Sequence, residues 1–466
     1  MAMGSKGEKQ EELFYASEQA EAPGHPFYQK LNGVLSAAKF DGYCEEQCRR
    51  FYHTKLGRPS MAPGVYFRLL LIGFFEGIAS ERGICWRVAD SLSLRHFLNY
   101  GMGETTPDHV TMSRTRRLLD EATHQAIFTF VLTEVAKRGM LKGKTIGIDA
   151  TTLEANAAMR SIVRRDTGQS YREYLRTLAA EAGSDPNDDD AVRRMDRKRE
   201  KKTSNTEWVN PHDPDAEVMK MKDGSTHLAY KAEQAVDLDT GAIVAITTQG
   251  GAAGDTQSIQ ETLPAAGLAV AGQIDTRTAK GRYKVHGQGL CDVVTDKGYH
   301  SEASLTRMTE WGVKTYVSAP KKGGKTEPSA AVKANLRRVE SERGKALLRK
   351  RGELLERPFA HQYETGAMRR LYVRGRDNVA KRVLLQAAAF NLALILRSIT
   401  RAGTPRGLAD LAHTVLSALL RVLDALAAWE RPDSCAIAYT RSCSAKRRCT
   451  PTISASVQNR GSDTGC

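Results

Sequence analysis

No apolar run in this 466-residue chain reaches the roughly 20 residues that a bilayer-spanning helix needs. The longest nearly apolar stretch, residues 383–396, is interrupted by Gln386 and Asn391, so no membrane span is expected. The N-terminus lacks the apolar core of a secretory signal. Its eight cysteines are therefore expected in a reducing cytoplasm, without disulfides. Acidic residues are also in deficit: 54 Asp and Glu face 69 Lys and Arg, leaving a formal charge of +15 and a pI near 9.4. A cytoplasmic protein with that excess most economically meets a polyanion, because each neutralised phosphate releases a condensed counterion. Nucleic acid is the expected partner. Hydrophobic residues make up 41% of the chain, enough for a real core, which excludes global disorder and a small disulfide scaffold. The length suits about three domains or one elaborated catalytic domain.

Four stretches can be distinguished. Residues 1–40 are a polar lead-in with turn signals at Pro23-Gly24 and His25-Pro26. Residues 41–140 repeat apolar positions at helical spacing, as in Val65, Leu69, Ile72 and Phe75, and predict a helical DNA-binding domain of four or five helices. Its segment 106–117 opens with Thr-Pro-Asp and carries Arg114, Arg116 and Arg117, a basic helix that can lie against DNA. Within the same stretch Cys44, Cys48 and His53 have no clear fourth ligand for zinc, and the i, i+4 cysteines read as core contacts. Residues 401–466 hold a helix over 408–429, then a Ser-, Thr- and Arg-rich tail with Cys435, Cys443, Cys449 and Cys466, expected to be disordered.

Residues 141–400 read as strand, hairpin, helix, strand, helix, strand, helices. A strand at 144–149 ends in Asp149, and a polar insertion follows at about 157–225. That insertion carries an acidic run and then the basic run 193–202, predicted to be mobile or to contact DNA. Its Trp208 is the aromatic offered for base stacking, whereas Trp311 reads as core. Strands at 227–236 and 243–248 flank Asp239-Thr240-Gly241 as a hairpin. Gly254-Asp255-Thr256 opens a helix, and Asp255 is read as its cap, outside any site. A fourth strand at 291–295 leads into Asp296, a fifth lies at 315–317, and helices follow over about 330–356 and 378–400. The fold class predicted is α+β, or mixed α/β, with a mixed sheet flanked by helices after an all-α N-terminal domain.

Asp149 and Asp296 thus end two different strands, and carboxylates on neighbouring strand ends can converge. With a glutamate from a following helix they make a hard, oxygen-only site suited to two Mg²⁺ or Mn²⁺ ions rather than zinc. Phosphodiester chemistry uses such a site, with metals about 3.5–4 Å apart activating the nucleophile and stabilising the leaving oxygen.

The segments Gly147-Ile148-Asp149-Ala150-Thr151-Thr152-Leu153-Glu154, Val294-Thr295-Asp296-Lys297-Gly298-Tyr299 and Leu355-Glu356-Arg357-Pro358-Phe359 resemble the three acidic blocks of bacterial insertion-sequence transposases of the DDE class. Residues 57–86 and 106–117 resemble the N-terminal domain of these transposases, and the resemblance runs from about residue 40 to residue 400. It implies an RNase H-like fold and a metal-binding, catalytic triad of Asp149, Asp296 and Glu356. It implies cleavage at element ends, attack of the freed 3′-hydroxyl on target DNA, and a homodimer or higher assembly on double-stranded DNA in the bacterial cytoplasm, associated with the nucleoid. The family's third block places an Arg four residues before its Glu and a Lys seven after. Those positions are Gly352 and Tyr363 for Glu356, and Ala360 and Leu371 for the rival Glu364. Glu356 is preferred for its Glu-Arg-Pro-Phe string, and Glu364 stays open. With Glu356 as ligand, Arg351 and Arg357 are expected to hold phosphates. A second basic cluster, Arg369, Arg370, Arg374, Arg376, Lys381 and Arg382, is expected to bind the DNA backbone. Two other functions use the same features: a structure-specific nuclease that never joins ends, and a decayed copy that only binds DNA.

Overall fold

The computed structural model describes residues 3–4, 24–53, 57, 59–101, 103–199, 203–221, 224–278, 281, 284–320 and 327–429. Most of the lead-in, the end of the basic run and the cysteine-bearing tail lie outside the described residues. Met1–Leu411 form one compact unit and Ala412–Cys466 a second.

Among the described residues seven helices precede the sheet: α1 (Pro26–Ala37), α2 (Phe40–Cys48), α3 (Pro63–Glu76), α4 (Glu81–Ala89), α5 (Leu92–Phe97), α6 (His109–Leu118) and α7 (Glu121–Lys137). Four or five were expected. The first lies within the presumed lead-in, where Pro26 occupies the first turn and Phe27, Tyr28 and Leu31 are buried. Short side chains start α4, α6 and α7: the Ser80 hydroxyl accepts from the Gly83 amide, and the Asp108 and Asp120 carboxylates accept from the Thr111 and Thr123 amides, satisfying N–H groups a helix start leaves orphaned. Helix α3 is apolar around its circumference and buried from Pro63 to Phe75, the pattern of a central helix. Cys44 and Cys48 are buried on α2.

The rest of the first unit runs β1 (Thr145–Glu154), β2 (Val163–Arg164), α8 (Tyr171–Glu181), α9 (Asp189–Lys198), β3 (Trp208–Val209), β4 (Glu217–Lys220), β5 (Thr226–Asp237), β6 (Ile243–Gly250), α10 (Asp255–Ala271), β7 (Asp292–Thr295), α11 (Glu302–Glu310), β8 (Lys314–Val317), α12 (Ala330–Glu340), α13 (Glu342–Glu364) and α14 (Arg376–Thr400). Helix α15 (Pro405–Trp429) leads into the second unit. The main sheet has the order β4-β5-β1-β7-β8, with β6 also paired to β5. Strands β1, β5 and β6 are antiparallel in turn, whereas β7 and β8 run parallel to β1. The β5–β6 turn is held by the Asp237 carboxylate, which accepts from the Lys142, Gly143 and Asp239 amides.

Five expectations need correction. Strand β1 does not stop at residue 149 but runs on to Glu154, so Asp149 lies within it and not at its end. The insertion is folded rather than mobile: α8 and α9 bury Leu175, Ala179 and Val192 against one another. Arg193 and Arg194 of its basic run face Asp190 and Asp188. Trp208 is 2% exposed, edge-on to the Tyr171 and Tyr174 rings and beneath the Arg164 guanidinium, so it is a core residue and not a stacking platform. Trp311 is 43% exposed and is not core. The single helix expected over 330–356 is two helices. Ser341 ends α12 and caps α13 through the Gly344 amide, and α13 continues through Pro358 to Glu364.

Helix α14 joins the two halves of the first unit. It packs on α7, α3 and β6, and Asn391 makes two hydrogen bonds with the Ile243 backbone at 3.0 and 2.8 Å. By length and composition the span Arg376–Leu423 could cross a membrane, but 72% of its apolar window is buried inside the protein. The apolarity of α14 is that of a core helix.

Candidate functional site

The two expected aspartates lie on neighbouring parallel strands. Gly147 of β1 pairs with Val294 of β7, and Asp149 and Asp296 each lie two residues further along. Strand alternation puts Gly147, Asp149 and Thr151 on one face, and α13 covers that face. A Cβ on Gly147 would lie 2.5 Å from the Leu355 side chain, so the glycine permits the close approach of α13. Gln234, directly across from Asp149, donates to the Leu355 carbonyl at 3.2 Å.

One turn before Leu355, Arg351 reaches between the two carboxylates. Its Nη2 is 2.8 Å from Asp149 Oδ2 and 4.0 Å from Asp296 Oδ2. The Arg351 Nε is buried without a hydrogen-bond partner among the described residues. Asp149 also accepts from the Ala150 amide and Asp296 from the Gly298 amide, both at 2.9 Å. Burial raises the pKa of Asp149, Arg351 offsets part of that rise, and Asp296 and Asp255 add to it. The site is thus two converging carboxylates around one resident cation.

A third acid, read from the sequence as a helix cap, lies near this edge. Asp255 is the first residue of α10, whose N-cap, Gly254, makes no side-chain cap bond. Its Oδ1 is 2.5 Å from Lys231 Nζ, and Lys231 is 5% exposed. On its other side, a Cβ built on Gly298 would lie 2.2 Å from Asp255 Oδ2 and 3.1 Å from Asp296 Oδ1. The turn after Asp296 is therefore wedged between Asp255 and Asp296, where only glycine fits. Behind it Glu233 is fully buried and accepts from Ser258 Oγ at 2.5 Å and Tyr299 Oη at 2.8 Å. Burial pushes the Glu233 carboxyl up, with those donors opposing. The available signal was Lys231 and Glu233 alternating with Ala and Tyr in a strand expected to be core, since buried charges require partners.

The glutamates behave differently. Among the described residues no three His, Cys, Asp or Glu side chains converge as a metal-holding group. Glu356, mid-way along α13, and Glu364, at its end, are both exposed. The expected DNA-binding arginines also divide. Arg114, Arg117, Arg369 and Arg370 are exposed, Arg116 is ion-paired with Glu81 at 2.7 Å, and Arg357 is ion-paired with Glu353. Of the wider basic cluster, Lys381 and Arg382 are 4% and 7% exposed. They donate to the Arg116 and Ile78 carbonyls, so they hold α14 against the helical half.

Residues 15–118, which include α1 to α6, match the family model of a transposase domain, DUF772. The match supports a transposase and, with it, a DNA-binding, DNA-modifying enzyme. No curated protein and no solved structure matches the chain.

Proposed function

From the transposase-domain match we propose that the chain is a DDE-class transposase of a bacterial insertion sequence. It cuts double-stranded DNA at the element's ends and joins the freed 3′-hydroxyl to target DNA, as a homodimer or higher assembly in the cytoplasm. The observation that carries this reading is the Asp149–Arg351–Asp296 constellation on adjacent parallel strands. The antiparallel β1, β5 and β6, continued by parallel β7 and β8, support an RNase H-like fold.

Two carboxylates that already hold a cation fit divalent metal, because hard ions take oxygen ligands. Asp149 and Asp296 are the proposed ligands, with Glu356 as the third. Glu356 precedes Tyr363 by seven residues, two turns, and so shares its flank of α13. Tyr363 donates to the Thr152 carbonyl of β1 at 2.9 Å, so that flank is turned toward the strand carrying Asp149. Glu364 lies about 100° further round the helix, which favours Glu356. When bound, the two ions supply activation of water or the 3′-hydroxyl and stabilise the leaving oxygen. The protein's residues position: Asp149 and Asp296 fix the reacting edge, and Arg351, once released from them, is free to take a phosphate oxygen bidentately. Arg357 and the exposed Arg114, Arg117, Arg369 and Arg370 hold flanking backbone.

The test is Mg²⁺-dependent cleavage and joining of the DNA ends flanking the gene. Asp149→Asn and Asp296→Asn are expected to abolish both steps while end binding stays within a few-fold of the wild type. Glu356→Gln is expected to do the same, and Glu364→Gln to remain active. Activity retained in either aspartate variant overturns the site. Cleavage without joining makes the protein a nuclease.

A further inference from the structure

A second concave site lies away from the aspartates. A cleft of about 480 Å³ opens between α4, α6 and the segment following α13. Its lining holds five cationic side chains, Arg82, Arg116, Arg370, Lys381 and Arg382, against one carboxylate, Glu81. Two of the five are already neutralised: Arg116 by Glu81 at 2.7 Å, and Lys381 by Asp377. Arg382 is not. Although 7% exposed, it donates to the Ile78 carbonyl at 3.1 Å and forms no ion pair among the described residues. Burial is the main force lowering its pKa, with Arg116 adding to it against Glu81. A buried guanidinium without its own counter-charge costs stability unless a ligand supplies the charge.

The rim has the same sign. Arg82, beside His109 at 3.3 Å, is exposed on one wall. Arg370, whose contact with Glu154 is a long 3.8 Å, is exposed on the other. Guanidinium groups facing one another across an open cleft suit a phosphate oxyanion better than a carboxylate, because several donor forks meet a tetrahedral group. The positive surface also continues beyond the cleft. Helix α6 turns Arg116 into it and leaves Arg114 and Arg117 exposed. A row of charges extending from a concave anion site matches a row of phosphates rather than a single small anion.

We propose that this cleft is a phosphate-binding site for a DNA strand, with Arg382 at its floor and Arg82 and Arg370 as its two walls. The proposal rests on the transposase reading. One wall comes from the region matched to the transposase domain and the other from the segment beyond α13, so a strand seated here bridges both halves of the first unit. Its lining includes none of Asp149, Arg351 and Asp296.

Fluorescence anisotropy with a labelled DNA duplex, across a salt series, tests the proposal on the full-length wild type, Arg82→Gln/Arg370→Gln and Arg382→Met. The exposed double variant is the main instrument, because Arg382→Met can compromise folding. The double variant is expected to lose about tenfold in affinity, with the salt slope reduced by roughly one to two, near 0.9 for each phosphate contact removed. An unchanged affinity and slope, in a wild type that binds DNA, overturns the cleft and leaves the transposase reading intact. Thermal protection by inorganic phosphate or AMP that the double variant abolishes, with duplex affinity unmoved, overturns the DNA assignment in favour of a free phosphate ligand. A wild type that binds no DNA overturns the transposase reading itself and this inference with it.

Discussion

At the scale of single residues, two ionisable groups carry measurable consequences. His124 is fully buried, its Nδ1 2.8 Å from the Asp120 carbonyl and its Nε2 3.2 Å from the Tyr66 hydroxyl. The carbonyl only accepts, so Nδ1 carries the proton and Nε2 accepts from Tyr66. Burial lowers its pKa to about 4. A lowered base is neutral in the fold, so its contribution is complete above the unfolded value near 6.5 and lost as pH falls toward 4. Urea unfolding at pH 7 and pH 4 is expected to show a loss on the order of 3 kcal/mol from this group, absent in His124→Asn. Equal slopes in the two proteins would remove the histidine from the acid response. Arg351 gives a complementary case. Arg351→Met strips Asp149 of its 2.8 Å partner, and the expected loss is about 1–3 kcal/mol, below that of a fully buried pair because the carboxylates keep solvent access. The sign is fixed by Asp149, whose folded pKa is raised by burial and rises further without the guanidinium. Only the charged form needs Arg351, so the gap between variant and wild type should close as the pH drops below the carboxylate range. A gap that persists in acid would mean that Arg351 acts through packing.

At the scale of elements, the inserted segment has a small core of its own, Leu175, Ala179 and Val192 between α8 and α9, and is joined to the main core through Ile162, Ala216 and Trp208, the last edge-on to two tyrosines. Trp208→Ala is expected to cost about 3–5 kcal/mol of local stability and to expose residues 157–225 to protease while α3 and the sheet stay protected. Uniform destabilisation in hydrogen exchange would show that the insertion and the sheet unfold together. This segment also marks where the sequence was hard to read. Its polar composition outweighs a core of a few residues, and no periodicity reveals a tryptophan seated between rings 37 and 34 positions earlier. The strands were legible because apolar runs bounded by turn residues have a local cause. Asp296 could be placed at a strand end for the same reason, whereas Asp149 lies within β1, whose polar continuation to Glu154 has no apolar run to reveal it. Their shared guanidinium could not be read, since Arg351 arrives from a helix some 200 residues after β1. Asp255 was set aside because helix capping explains an aspartate at that point of a sequence equally well. Only the Gly298 turn and the buried Lys231 tie it to the aspartate edge.

At the scale of the whole first unit, α14 is the connector. Phe128, Val131, Leu132 and Val135 of α7 are buried in a core shared with Leu385, Ala388, Ala389 and Leu392 of α14. A fragment covering residues 24–140 is therefore expected not to fold alone. It should bind ANS and lack a cooperative thermal transition, with helical circular dichroism partly retained. A sharp transition and a dispersed NMR spectrum would make the helical half autonomous. The same architecture sets a timetable during synthesis. The last residue of α7 and the first of α14 are 376 − 137 = 239 positions apart, roughly 12–48 s of translation at about 5–20 residues per second. Throughout that interval the nascent N-terminal helices are expected to expose the apolar face that α14 later covers, a surface that invites chaperones, and a chain cut short before α14 is expected to be degraded rather than to compete for DNA.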